Sequence, residues 1–244
     1  MLKDAMQIRI RSTNRSTSKR LSFGLSIIEL LIGVAMGLFI LAGASAIFFS
    51  NITNARKLLL EAQINQDMRA TMDLLTRDLR RSAYWGNSLA GTSASGSSSA
   101  TISNPYSVVT STGSTQINYA YTRDTIENNE LDVTTEQFGF KLNTESHAIQ
   151  MYIGGSWQTL TNTDILTIPD TGFTITPTET TIDIRAACAK ICIDMVLSPS
   201  CPRVKVRAYN IVLTGISKTD STVSRTLRSQ VRVRNDAISG SCPA

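Results

Sequence analysis

Residues Leu25 to Phe49 form an apolar run of 25 residues broken by one charge, Glu29, and preceded by a stretch rich in lysine and arginine. As a helix at 1.5 Å per residue the run spans ~37 Å, enough to cross a bilayer with tilt. From Ile52 to Ser82 the pattern changes: proline and glycine are absent, and Leu58, Ala62, Asn65, Met68, Met72, Leu75 and Leu79 recur at steps of three and four. That spacing defines one side of an amphipathic helix. The other side carries opposite charges one turn apart, Lys57 with Glu61, Arg69 with Asp73 and Asp73 with Arg77, and reads as a solvated surface. No breaker separates the two patterns, so one continuous helix is expected, ending near Ala83-Tyr84-Trp85-Gly86. Gly33 and Gly37 in its apolar half have the spacing that permits close helix approach.

After the helix, Asn87 to Ala100 is rich in Ser, Gly and Thr and reads as a surface loop. Short β-prone pieces follow at Gln116–Arg123, Gln137–Leu142, Ala148–Ile153, Ser156–Leu160, Gly172–Thr176 and Thr181–Ala186. Gly154-Gly155 predicts a tight hairpin between two of them. The strongest pair is Arg203–Ile216 with Ser224–Arg234, joined by a turn around Lys218 to Ser221. Leu227, Ser229, Val231 and Val233 alternate there with Arg228, Gln230, Arg232 and Arg234, so one face is buried and one is wet. Arg203, Lys205 and Arg207 are expected on the same wet face. A long helix followed by an antiparallel sheet packed on its outer half is an α+β arrangement. The expected organisation is a basic leader (1–24), a transmembrane half of the helix (25–50), an amphipathic outer half (51–83), a Ser/Gly-rich loop (84–115) and a sheet head carrying the cysteines (116–244).

The net charge of +5 is a property of the leader. Residues 1–24 hold six basic residues against Asp4, and the rest of the chain carries eighteen of each sign. No field for nucleic acid is left on the body, so DNA or RNA is not an expected partner. A secretory signal peptide cut among Ala42 to Ala46 would suit the basic start, but the apolar run is too long and contains a carboxylate. A plain single-pass anchor, basic end inside, fits the charge asymmetry. It leaves Glu29 unexplained, because a charge at the centre of a membrane helix costs ~2.5–3.5 kcal/mol and marks a functional site with a partner to be named.

The remaining chemistry is sparse. Cys188, Cys192, Cys201 and Cys242 lie on the far side of the anchor, where an even count favours two disulfides. Their spacing lacks the paired form of a structural zinc site. Three pairings are open; the register of the final hairpin puts Cys201 near the chain beyond Asp236, which favours Cys201 with Cys242 and Cys188 with Cys192. Asp124, Glu127, Glu130, Asp132 and Glu136 match no calcium loop and read as a solvated acidic segment. His147 is the only histidine and reads as exposed. No phosphate loop, dinucleotide fingerprint or nucleophile motif occurs, so neither an enzyme nor a cofactor is expected.

The junction Lys19-Arg20-Leu21-Ser22-Phe23-Gly24, followed by Leu25-Ser26-Ile27-Ile28-Glu29-Leu30-Leu31-Ile32, resembles the type III signal of the type IV pilin-like family. The resemblance covers residues 19–50, with Leu25 where the family usually has phenylalanine. It implies cleavage after Gly24 by a prepilin peptidase, methylation of the new N-terminus at Leu25, and Glu29 as the fifth mature residue. A free amine at the edge of an apolar helix needs a nearby anion, and Glu29 of a neighbouring subunit would supply it. The segment Asp78-Leu79-Arg80-Arg81-Ser82-Ala83-Tyr84-Trp85-Gly86 is similar to PilW-type minor pilins, and a mature chain of 220 residues suits a minor subunit. The resemblance implies a pilin-like fold and a subunit that, with other minor pilins, primes pilus assembly at the inner membrane and is carried out near the filament tip. The implied partners are the other minor pilins, the major pilin, the prepilin peptidase, the inner-membrane assembly platform and a tip adhesin. Two alternatives remain: the J-type minor pseudopilin of a type II secretion system, and a pilus-borne receptor for DNA or a surface working through Arg228 and Arg232. Because the capping minor pilin of the family typically lacks the glutamate, Glu29 implies another subunit above this one.

Overall fold

A computed structural model describes residues 24, 26–91, 102–193, 201–240 and 242. Most of the leader, Leu25 and most of the Ser/Gly-rich loop lie outside the described residues. The chain divides into two compact units, Met1–Ile52 and Thr53–Ala244.

Helix α1 runs from Ile27 to Arg81. It begins where the Ser26 carbonyl accepts from the Glu29 and Leu30 amides at 3.0 and 3.1 Å, with the Ser26 hydroxyl accepting from Ile28 at 3.4 Å. It ends where Ala83 turns left-handed at φ 62°. The last carbonyls are covered from far along the chain. Arg80 accepts from the Arg234 amide at 3.1 Å, and the Asn235 side-chain amide reaches the Arg81 and Ser82 carbonyls at 3.4 and 3.1 Å.

The head contains two sheets. In the first, β1 (Thr110–Thr112), β2 (Gln116–Ala120), β3 (Gln137–Asn143), β4 (Ala148–Ile153) and β5 (Ser156–Thr159) form an antiparallel meander in chain order. Gly154 and Gly155, both at positive φ, make the two-residue turn between β4 and β5. The second sheet is built on β8 (Arg203–Ser217). β6 (Leu166–Thr167) and β7 (Phe173–Asp183) lie along one edge of β8, and β9 (Ser224–Arg232) and β10 (Ala237–Ser239) along the other.

Two expected strand pieces are joined as β7, which passes straight through Pro177. The Ile175 amide points away from β8 and donates to the Ser114 carbonyl at 2.7 Å. Two residues on, the missing amide of Pro177 faces the same unpaired edge, so no ladder bond is lost.

The core follows the strand period of two. Ile117, Tyr119, Phe138, Phe140, Leu142 and Ile149 of the first sheet, and Phe173, Ile175, Tyr209, Ile211, Leu213 and Val231 of the second, pack in one cluster with Ile64, Met68, Met72, Leu75 and Leu79 of α1. Each such buried side chain contributes ~1.5–3 kcal/mol. Tyr121 stacks on Phe138 with ring centroids 4.2 Å apart. Gly215 of β8 lies against the helix with no room for a side chain: a Cβ there would clash with Leu166 Cδ1 and lie 2.9 Å from Met68 Sδ.

The expected apolar face of the outer half begins nearly two turns too early. Leu58 and Ala62 are exposed, and the buried stripe starts at Ile64 and includes Thr71 and Asp78. Two of the helix carboxylates serve the head. Glu61 pairs with Arg225 of β9, and Asp67 Oδ2 accepts from the Asn162 amide at 3.1 Å. The whole is a long helix packed on antiparallel sheet, the α+β, pilin-like arrangement expected from the sequence.

Candidate functional site: the start of the helix and the faces of the head

At the start of α1, Glu29 lies in the first turn, where a carboxylate is favoured by the positive end of the helix dipole. Its side chain is exposed and makes no ion pair or hydrogen bond among the described residues. Gly24 is exposed with nothing within 4 Å of an added Cβ; Leu25 lies outside the described residues. The apolar side chains that follow are open: Phe39 is 81% exposed. This part of α1 is long and apolar enough to cross a membrane, and none of it is buried within the chain, unlike a soluble core helix. An added Cβ at Gly33, Gly37 or Gly43 would meet nothing within 4 Å, so the chain's own packing does not require glycine there.

Register separates the basic residues of the second sheet. Ala208, Asn210 and Val212 of β8 stand opposite Arg232, Gln230 and Arg228 of β9 and share their face. Arg203, Lys205 and Arg207 have the other parity and lie on the face of Tyr209, Ile211 and Leu213. The expectation that Arg203, Lys205 and Arg207 share one wet strip with Arg228, Arg232 and Arg234 is therefore corrected. On the inner face, β7 places Glu179 and Asp183 opposite Arg207 and Arg203. Glu179 lies 3.0 Å from Lys205 Nζ and 3.4 Å from Arg207 Nε, and these two cations hold its carboxyl below the ordinary range. On the outer face Arg232 pairs with Asp236 at 2.9 Å.

The acidic segment is only partly solvated, which corrects a second expectation. Asp124, Glu130 and Asp132 are exposed, but Glu136 is fully buried. Its Oε1 accepts from the Arg123 amide at 3.0 Å and the Tyr106 hydroxyl at 3.2 Å, and its Oε2 accepts from the Asp132 amide at 3.0 Å. Glu127 accepts from the same hydroxyl at 2.9 Å, from the Asn129 amide at 3.0 Å and from the Gly86 amide at 3.3 Å. Burial, reinforced by the two glutamates, pushes the Tyr106 hydroxyl well above the usual tyrosine range. The carboxylates close a loop around the residues that follow α1. No three His, Cys, Asp or Glu side chains converge as metal ligands among the described residues.

A further carboxylate, invisible in the sequence pattern, sits on the core side of α1. Asp78 is 6% exposed and accepts from the Tyr119 hydroxyl at 3.0 Å. Burial holds its carboxyl above the ordinary range, although the Tyr119 hydroxyl and then Arg81, Arg123 and Arg77 pull the other way. A raised folded-state value means that the ionised form costs stability above it, a cost relieved as the pH falls through that value. Asp78→Asn is therefore expected to equal or exceed the parent in stability at pH 7, with the difference narrowing toward pH 4. Urea denaturation at both pH values measures this; a gap that widens on acidification contradicts the assignment.

His147, at φ 49°, is half-exposed, 3.4 Å from Asp170, and takes part in no cluster. The cysteines form two disulfides, Cys188 with Cys242 and Cys192 with Cys201, with Cα atoms 5.4 and 5.7 Å apart. The favoured alternative, Cys201 with Cys242 and Cys188 with Cys192, is thus corrected. β7 and β10 flank the same end of β8, opposite Arg203 on its two edges, so the chain leaving β7 and the chain leaving β10 meet there. Cys188 also leaves its short turn in extended conformation, which carries the following residues away from it.

A family model described as prepilin peptidase-dependent protein B matches residues 57–233, more than half of the chain. Neither a search of curated proteins nor one of solved structures gives a match. The matched segment begins after residues 19–32, whose sequence resembles a prepilin signal, so resemblance and match rest on different residues. The chain is a member of the prepilin peptidase-dependent protein B family, a type IV pilin-related family.

Proposed function

We propose that this chain is a PilW-like minor pilin that helps to initiate type IV pilus assembly and enters the filament at or near its tip. The observation that carries the reading is Glu29: a lone carboxylate, without an ion pair or hydrogen bond among the described residues, in the first turn of an otherwise apolar and uncovered helix. In this reading residues 1–24 are a cleaved leader, 25–50 the membrane and assembly half, 51–83 the outer half, 84–115 a connecting segment and 116–244 the head. The peptidase cuts between Gly24 and Leu25, and the amine of one subunit meets Glu29 of another. A further subunit then sits above this one.

The head would lie in the periplasm before assembly and outside the cell after it, where both disulfides persist. Its partners would be other minor pilins, the major pilin, the inner-membrane assembly platform and a tip adhesin. Mass spectrometry of the mature protein tests the reading. A methylated N-terminus at Leu25 is expected; an N-terminus at Met1 or near Ile47 would overturn it. Loss of twitching in a deletion strain supports the pilus, whereas loss of secretion alone would assign the chain to a type II secretion system.

A further inference from the structure

The last turns of α1 and the segment after β9 enclose a cleft of about 360 Å³ lined by Asp73, Thr76, Arg77, Arg80, Arg81 and Arg234. Its two walls are pinned together, because the Arg234 amide donates to the Arg80 carbonyl at 3.1 Å. Four arginines therefore line a cleft whose lining holds one carboxylate, Asp73. Arg77, Arg80 and Arg234 make no side-chain hydrogen bond or ion pair among the described residues, and Arg81 lies over the Tyr121 ring at 4.5 Å. Asp78, the nearest buried acid, turns its carboxylate to Tyr119 in the core.

The contrast with the inner face of the second sheet is informative. There Lys205 and Arg207 also converge, and Glu179 lies between them. The negative end of α1 accounts for cations in its last turn. It does not account for Arg77 a turn earlier, or for Arg234 arriving from another element.

We propose that this cleft docks a carboxylate-rich segment of a neighbouring protein subunit. Guanidinium forks match carboxylates two bonds at a time, and several such groups held in a concave site select an anion cluster over a single acid. Protein is favoured over nucleic acid by two observations. The chain beyond the leader carries equal numbers of acidic and basic residues, so no broad field draws in a polyanion. From Asp73 to Arg81 the helix rises only ~12 Å, too short to track a phosphate backbone. The choice of a fellow subunit rests on the assembly role proposed above, whereas the acidic chemistry of the ligand does not.

Fluorescence anisotropy of a labelled decaglutamate peptide with the full chain in neutral detergent, at low salt, tests the proposal. Arg80→Glu combined with Arg234→Glu is expected to weaken binding at least tenfold. Arg69→Glu with Arg228→Glu, the same charge change away from the cleft, is expected to change it less than twofold. The neutral pair Arg80→Gln with Arg234→Gln should weaken binding while leaving the circular dichroism spectrum and melting temperature unchanged, which separates docking from folding. Equal loss in the cleft and control variants, full binding by the glutamine pair, absent binding of the peptide, or tighter binding of a labelled DNA duplex each overturns it. The peptide assay is indifferent to where the N-terminus is cut, so an uncut chain that binds at the cleft would refute the assembly role alone.

Discussion

Replacing Glu136 by alanine is expected to lower the unfolding free energy by about 4 kcal/mol, because it removes an acceptor shared by three donors around a fully buried carboxylate. Those donors are the Arg123 and Asp132 amides and the Tyr106 hydroxyl, each within 3.2 Å of the carboxylate. Two of them are main-chain groups that cannot turn toward water without moving the backbone between β2 and β3. Tyr106 retains Glu127 and the Glu130 carbonyl as acceptors, at 2.9 and 3.1 Å, so the amides carry most of the cost. Glu136→Gln sharpens the argument. Its oxygen can serve one amide only, and its NH2 group then faces the other, so it should also be destabilised, by about 1–3 kcal/mol. Urea denaturation of the full chain in detergent measures both. A Glu136→Gln variant as stable as the parent would mean that Glu136 acts by charge alone or not at all.

Much of this architecture is legible in the sequence where one period governs a long segment. The outer half of α1, strands β3 and β4, and the long β8–β9 hairpin all follow from alternation or from steps of three and four, and the Gly154-Gly155 turn between β4 and β5 follows from the backbone freedom of glycine. What escapes the sequence depends on contacts without a period. Strands β1, β6 and β10 are two or three residues long and exist only because a neighbour offers an edge. Pro177 reads as a break because its unpaired side is not visible from the sequence.

The site is less legible than the fold for the same reason. The sides of Arg203, Lys205 and Arg207 depend on the parity of β8 against β9, which no single strand reveals. The disulfide pairing depends on which edges of β8 are taken by β7 and β10. Glu136 looks like any other acid in a polar loop until Tyr106, thirty residues earlier, is folded over it. The cleft joins Arg80 to Arg234 across most of the head, and only the Arg80-Arg81 pair at the end of the helix hints at it.

Glu29→Ala is expected to leave membrane insertion intact and to reduce the amount of this chain in sheared filaments at least tenfold. The first half of the expectation follows from cost: an intramembrane carboxylate opposes insertion by ~2.5–3.5 kcal/mol, so its removal cannot weaken the anchor. The second half follows from the lack of any side-chain partner for the charge among the described residues. Glu29 closes no ion pair among the described residues, packs against nothing and is not needed to start the helix, which Ser26 begins through its carbonyl and hydroxyl. A group that costs energy and serves no contact at home is kept for a contact elsewhere, and a free amine in a neighbouring helix is the group that would repay it. Glu29→Asp retains the charge but shortens the reach by one methylene, so it should fall between parent and alanine; Glu29→Gln, which keeps the shape without the charge, should resemble alanine. Immunoblots of membrane and sheared-filament fractions from the same cells report both halves together. Unchanged filament content in Glu29→Ala would refute the pairing role while leaving the anchor reading untouched, whereas loss from both fractions would show that the carboxylate acts before assembly, in insertion or processing.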